Sequence, residues 1–173
     1  MQRPIIALDT VNYLAYGSNL YPPRLRLRVP IVETVGMVEL PGWALDFGKR
    51  GGDGSGKCNL AERASAMAFG VVYIISAPDK LILDRIEGLG RGYRDHWIEI
   101  ATIGRCVFYR AIETTIDMRL KPYDWYKGFV LAGARLHRFP QPYVNAIDAV
   151  PSQPDPDAAR HAENDRILQQ ELS

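Results

Sequence analysis

Two cysteines, Cys58 and Cys106, are all that the 173-residue chain contains. A single pair makes no disulfide framework, so both read as reduced, buried thiols. The histidines His96, His137 and His161 stand apart from one another and from the cysteines, without the spacing of a zinc site. No Gly-x-Ser-x-Gly elbow occurs, so a hydrolase triad has no support. No apolar run is long enough to span a bilayer. Met1 to Val11 is apolar but broken by Pro4 and Asp9, and it lacks the basic start and small-residue cleavage site of a leader. The cytoplasm is therefore the expected location. Charge of one sign is lacking too: the net charge of +1 gives no field to favour nucleic acid or a membrane.

What is present suits one globular domain. Hydrophobic residues make up 47% and charged residues 24%, which excludes a disordered chain. Asn12 to Tyr16 reads as a short strand running into Gly17. Pro22 to Arg28 reads as a short helix or turn, since proline is tolerated where the first N–H groups need no helical partner. Val32–Leu40 and Trp43–Phe47 read as two strands broken by Pro41-Gly42, followed by a flexible glycine-rich loop over Gly48–Lys57. Cys58–Ala61 reads as a short strand, and Met67–Ile75 as a central one. Ala77-Pro78-Asp79 opens a helix that Gly88 and Gly90 end, with Ile82, Ile86 and Leu89 as its apolar face. Trp97–Thr102 and Arg105–Ile112 form a hairpin. Tyr123–His137 is helical, with Tyr126, Phe129, Val130, Gly133 and Leu136 at core spacing, and a shorter helix follows to about Val150. Residues 1–150 make the domain. Pro151–Pro156 is a linker, and the rest is a polar helical tail anchored by Ile167, Leu168 and Leu172, packed on its own domain or on a second subunit. Many strands with late helices argue an α+β fold around a mixed sheet or small barrel.

Three places carry candidate chemistry. In Tyr13-Leu14-Ala15-Tyr16-Gly17-Ser18-Asn19-Leu20 a strand runs straight into Gly-Ser-Asn. Gly17 permits close backbone approach, Ser18 and Asn19 suit a helix cap, and successive N–H groups there can converge on an anion or oxyanion. The same residues also serve a plain strand–turn–helix. Glu87 closes the helix before Gly88, facing the negative end of its dipole. That raises a carboxyl pKa and suits a group that both takes and gives a proton, unless Arg85, Arg91 or Arg94 opposes it. Tyr126 brings a ring and a hydroxyl into a helix core. Gly51-Gly52-Asp53-Gly54-Ser55-Gly56-Lys57 almost matches a phosphate-binding loop, but Cys58 stands where Ser or Thr should bind Mg²⁺, and an extended segment follows instead of a helix.

Taken in order, these pieces resemble the γ-glutamylcyclotransferase family. The likeness runs from Tyr13–Leu20 through Trp43–Gly48 and Phe69–Tyr73 to Asp84–Gly88, Tyr93, Tyr126-Lys127 and Gly133-Ala134. It implies a compact α+β domain with a barrel-like mixed sheet. It implies that Tyr13, Leu14, Ala15, Tyr16, Gly17, Ser18, Asn19 and Leu20 form the substrate cradle, that Glu87 is the acid/base, and that Tyr126 lines the pocket. Asn19 after Ser18 resembles the γ-glutamyl-amino-acid branch rather than the Tyr-Gly-Ser-Leu or Tyr-Gly-Thr-Leu branches. The implied reaction converts a γ-glutamyl amide to 5-oxoproline and a free amine with no cofactor and no metal, and a homodimer stays open. The competing readings are a binding module of the same fold without turnover, and the same chemistry on a specialised γ-glutamyl amine.

Overall fold

The first strand, β1 (Thr10–Ala15), becomes steadily more buried along its length, because it ends in the middle of a five-stranded mixed sheet. The sheet comes from a computed structural model that describes residues 9–170; residues 1–8 and Leu172 lie outside the described residues. β1 runs antiparallel to β3 (Gly56–Ser76) and parallel to β5 (Gly104–Ala111). β2 (Glu33–Arg50) borders β3, and β4 (Tyr93–Ile100) borders β5, giving the order β2-β3-β1-β5-β4. Parallel pairing of Tyr13 with Val107 needs a long crossover, and helix α2 (Ala77–Glu87) lies within it.

The β2–β3 hairpin corrects the expectation of four shorter strands. Pro41-Gly42 is a bulge inside one 18-residue strand, where the register against β3 shifts between Pro41 and Trp43. β2 is an edge strand, so the missing proline N–H costs the sheet little. Cys58–Ala61 and Met67–Ile75 are likewise one 21-residue strand. The bulges let the far half of the hairpin curl over the opposite edge. There the Ala111 N–H donates to Asn59 Oδ1 at 2.9 Å, and Arg110 reaches Glu62 at 2.6 Å. The glycine-rich stretch shrinks to a tight turn instead of a flexible loop. Asp53 accepts from the Ser55 N–H and hydroxyl at 3.0 and 2.8 Å, and Lys57 Nζ donates to Asp53 at 2.8 Å. Lys57 lies in β3 with no helix after it, so a phosphate-binding loop is excluded on backbone geometry.

Helix α2 has the expected ends but not the expected face. The Ser76 hydroxyl caps the Asp79 N–H at 3.1 Å, and Gly88 closes the helix in the left-handed region (φ 71°). Ile82, Ile86 and Leu89 stay exposed, however, while Lys80 and Leu83 are buried. The inward face is polar. Lys80 bonds Asp84 and reaches Asp95 at 3.0 Å, and Asp84 accepts from the Tyr109 hydroxyl at 2.7 Å. Positions 80, 83, 84 and 87 share one side of a helix, so the network that locks α2 to the sheet also turns Glu87 inward.

Among the described residues no helix is long and apolar enough to cross a membrane. Helix α1 (Pro22–Arg26) follows a 3-10 turn at Ser18–Leu20. Helices α3 (Asp124–Leu136), α4 (Gln141–Asp148) and α5 (Ala158–Leu168) complete the chain. Tyr126, Phe129, Val130 and Gly133 face the core as expected, whereas Leu136 is exposed. Gly133 is where α3 meets the 3-10 turn: a Cβ there would lie 2.4 Å from Leu20 Cβ and 2.8 Å from the Tyr21 nitrogen. α5 packs back on α3 of its own chain, with Leu168 over Gly128. The Trp125 indole and Arg160 both hold the buried Asp155 carboxylate, at 2.8 and 2.6 Å.

Two predictions follow from this packing. Gly133→Ala must displace the backbone at Leu20, so it should destabilise the fold by about 1–3 kcal/mol, roughly 2–12 °C in Tm. Gly52→Ala, which meets no atom within 4 Å, should be neutral in the same thermal melt. Equal melting of Gly133→Ala and wild type would contradict the packing. Both thiols are buried, and burial pushes Cys106 up to about 11 and Cys58 higher still. Native protein at pH 8 should therefore resist iodoacetamide, with both sites alkylated after denaturation in guanidinium.

Candidate active site

β1 delivers Tyr13 and Tyr16 to one side of a small pocket, and the 3-10 turn follows at once. Gly17 turns here at φ −113° and ψ −137°, a negative-φ conformation outside the extended region, and its missing side chain also leaves space. A Cβ would lie 2.9 Å from Cys58 Cβ and 3.5 Å from the Tyr126 hydroxyl, inside the pocket. Within the turn the donors are Leu20 to the Gly17 carbonyl and Tyr21 to that of Ser18. The N–H groups of Ser18 and Asn19 are therefore left without a partner inside the turn. The far end of the turn is pinned: the Leu20 carbonyl accepts from the Tyr73 hydroxyl at 2.8 Å and lies 3.0 Å from His137 Nε2.

Neither Ser18 nor Asn19 caps a helix with its side chain, contrary to the sequence expectation. Asn19 instead turns its amide into the pocket. Its Nδ2 donates to the Tyr13 hydroxyl at 2.8 Å and to Glu87 Oε1 at 3.0 Å, while its Oδ1 is buried without a partner. Glu87 also forms an ion pair with Arg28, again through Oε1. The cation facing Glu87 is thus Arg28, rather than Arg85, Arg91 or Arg94. Burial works to lower the Arg28 guanidinium, and the Glu87 carboxylate outweighs it, leaving Arg28 above its ordinary value. Both contacts land on one oxygen, so Oε2 is uncommitted among the described residues.

The walls are aromatic. Five of the nine tyrosines, Tyr13, Tyr16, Tyr93, Tyr109 and Tyr126, line the pocket with Gly17, Ser18, Asn19, Cys58 and Glu87. The Tyr126 hydroxyl accepts from the Cys58 N–H at 3.0 Å, and the Tyr93 hydroxyl donates to the Cys58 carbonyl at 2.7 Å. Burial raises all five hydroxyls above the usual phenol range, so they stay protonated at neutral pH.

Of the residues singled out in the sequence, Tyr13, Tyr16, Gly17, Ser18, Asn19, Glu87 and Tyr126 meet at this pocket. Leu14, Ala15 and Leu20 do not: all three are fully buried in the core behind it. Sequence reasoning missed Arg28, Cys58 and Tyr109. Arg28 had one available signal, since Arg24 and Arg28 lie one helical turn apart just after the Gly-Ser-Asn segment. No group of three His, Cys, Asp or Glu residues among the described residues is arranged to hold a metal.

No protein-family model matches the chain. It is 28% identical over 149 residues to a gamma-glutamylcyclotransferase of Bos taurus and 29% identical to that of Mus musculus, spanning 82% of this chain and 79% of each relative. Among solved structures it is similar to a gamma-glutamyl cyclotransferase, with a TM-score of 0.81 and 24% identity over 93% of this chain and 99% of the other. It also matches a human protein described as uncharacterized, with a TM-score of 0.78 and 22% identity over 94% and 99% of the two chains. The chain is therefore similar in sequence to the γ-glutamylcyclotransferases and shares the fold of the solved one.

Proposed function

We propose that the pocket converts a γ-glutamyl amide of an amino acid or amine to 5-oxoproline, releasing the free amine, with Glu87 as the acid/base. The observation that carries this reading is the setting of Glu87. Its Oε1 is fixed by Asn19 and Arg28, its Oε2 accepts from no group among the described residues, and it shares one pocket with the Ser18–Asn19 turn. The substrate's α-ammonium gives a proton to Oε2. The amine lone pair then attacks the γ-carbonyl carbon of the same molecule, and a five-membered ring closes. Turn N–H groups hold the resulting oxyanion. Glu87 returns the proton to the amide nitrogen, the C–N bond breaks as the carbonyl re-forms, and the ring nitrogen loses its surplus proton through the freed Glu87 carboxylate to the departing amine, which leaves as an ammonium. Because nucleophile and electrophile share one molecule, correct folding of the substrate can supply about 7–11 kcal/mol of the barrier.

Tyr126 is not placed to orient Glu87, since its oxygen bonds to Cys58. Its own O–H is assigned here to the substrate carboxylate. The positioning role falls to Asn19, whose unpartnered Oδ1 suits the incoming ammonium. A reducing cytoplasmic setting belongs with this reading, as both thiols are free.

Purified wild type incubated with γ-glutamyl-alanine and no cofactor should release 5-oxoproline. Glu87→Gln, checked for folding by circular dichroism, should be slower by about 10²–10⁴-fold. Equal rates would remove Glu87 from the mechanism. If wild type releases none from a broad γ-glutamyl panel, the binding-module reading takes over.

A further inference from the structure

The tyrosine pocket opens into an outer cleft of about 630 Å³ that shares Ser18, Glu87, Tyr93 and Tyr126 with it. Its basic residues are mostly neutralised in place. Arg28 is paired with Glu87, and Lys57 lies 2.8 Å from Asp53. Arg160 grips Asp155 with two bonds of 2.6 Å. Two cations remain, Lys49 and Arg24.

Lys49 is only 8% exposed, yet among the described residues no carboxylate lies within ion-pair distance of it. Its ammonium sits 4.5 Å above the Tyr93 ring, in space that exists because Gly92 has no Cβ; one there would approach Nζ to 2.8 Å. Arg24 stacks its guanidinium over Phe129 at 5.0 Å and Trp125 at 5.9 Å. Its Nη1 reaches only the neutral Asn164 amide, at 3.3 Å, and its Nε is buried without a partner. The remaining carboxylate on the cleft wall, Glu163, is exposed. On the other side of Glu87 a second groove adds Arg85 and Arg91 beside Lys49, with Glu87 as its single acid.

Burying a cation without a counter-charge is costly, and the fold retains two at one opening. Burial lowers both groups from their ordinary values. In Lys49 the charges of Glu87 and Asp53 pull the other way; in Arg24 the neighbouring Arg28 adds to the fall, to about 10. An anion in the cleft would relieve both.

If the γ-glutamyl head sits across the mouth of the tyrosine pocket, which itself holds only about 30 Å³, with its γ-carbonyl at Glu87, the far side of its amide emerges into this cleft. Resting on the function proposed above, we infer that the cleft selects leaving groups with an acidic side chain, and that Lys49 and Arg24 read that charge. The substrate class is γ-glutamyl-glutamate or γ-glutamyl-aspartate, and cationic leaving groups such as polyamines are excluded.

The test compares pairs that differ in charge and hardly in shape. Wild type should turn over γ-glutamyl-glutamate with kcat/KM about tenfold above γ-glutamyl-glutamine, and rising salt should shrink that ratio. In Lys49→Met and Arg24→Met, which keep an apolar stem, the ratio should fall toward one. A wild-type ratio at or below one overturns the inference. So does a loss of rate in the variants that is equal for both substrates, because the cations would then be reading a carboxylate that both dipeptides carry, on the glutamyl head or at the α-carbon of the leaving group. A parallel calorimetric titration of Glu87→Gln with the same two dipeptides separates this inference from the catalytic reading. Tighter binding of γ-glutamyl-glutamate without turnover in wild type would leave the selectivity standing and the cyclisation fallen. Turnover without selectivity would do the reverse, and neither turnover nor binding would overturn both.

Discussion

The amide of Asn19 is the joint on which the site depends. One nitrogen donates to a hydroxyl from the middle strand and to a carboxylate from the end of α2, tying two distant elements to one turn. That arrangement requires the turn itself to be immobile, and the molecule meets the requirement from behind. Tyr73 and His137 hold the Leu20 carbonyl, and Gly133 lets α3 press against the Leu20 backbone. The residues that line the pocket are thus supported by residues that never enter it, Leu14, Ala15 and Leu20 among them.

Helix α2 shows how charge rather than apolar surface can orient an element. Its inward side carries a lysine shared by two aspartates, one of which also takes a tyrosine hydroxyl. Such a network is favourable only when its members are jointly satisfied, so it tolerates little rotation about the helix axis. Glu87 inherits that constraint, because it stands on the same side one turn on.

The sequence is informative where local chemistry decides. Ser76, Pro78 and Gly88 mark the ends of α2, and a strand meeting Gly17 marks the turn at the pocket. It is uninformative where distant residues decide. The apolar side of α2 looks like its core side in isolation; nothing local reveals that Asp95 and Tyr109 will meet Lys80 and Asp84. Pro41-Gly42 looks like a strand break, and only the position of β2 at the sheet edge makes it a bulge. Arg28 reaches Glu87 from the turn after α1, and Tyr109 reaches the pocket through a parallel strand pairing, neither of which a local reading specifies. The resemblance to a known family pointed to Glu87 and Tyr126, which the fold brings to one pocket. The structure supplies their partners, and it moves Tyr126 away from Glu87 toward Cys58.

The clamp on Asp155 has a consequence for how this chain can diversify. α5 contributes Asn164 and Ile167 to the outer cleft, and it is held there by Trp125 and Arg160 around Asp155 and by Arg24 at Asn164. The segment that borders the entrance is thus a different stretch of chain from α2, which carries the Glu87 carboxylate. Substitutions on the exposed side of α5 can reshape the doorway while the Asp155 clamp and the inner geometry persist. Selection acting on what enters and selection acting on what happens inside can proceed along different stretches of the same polypeptide.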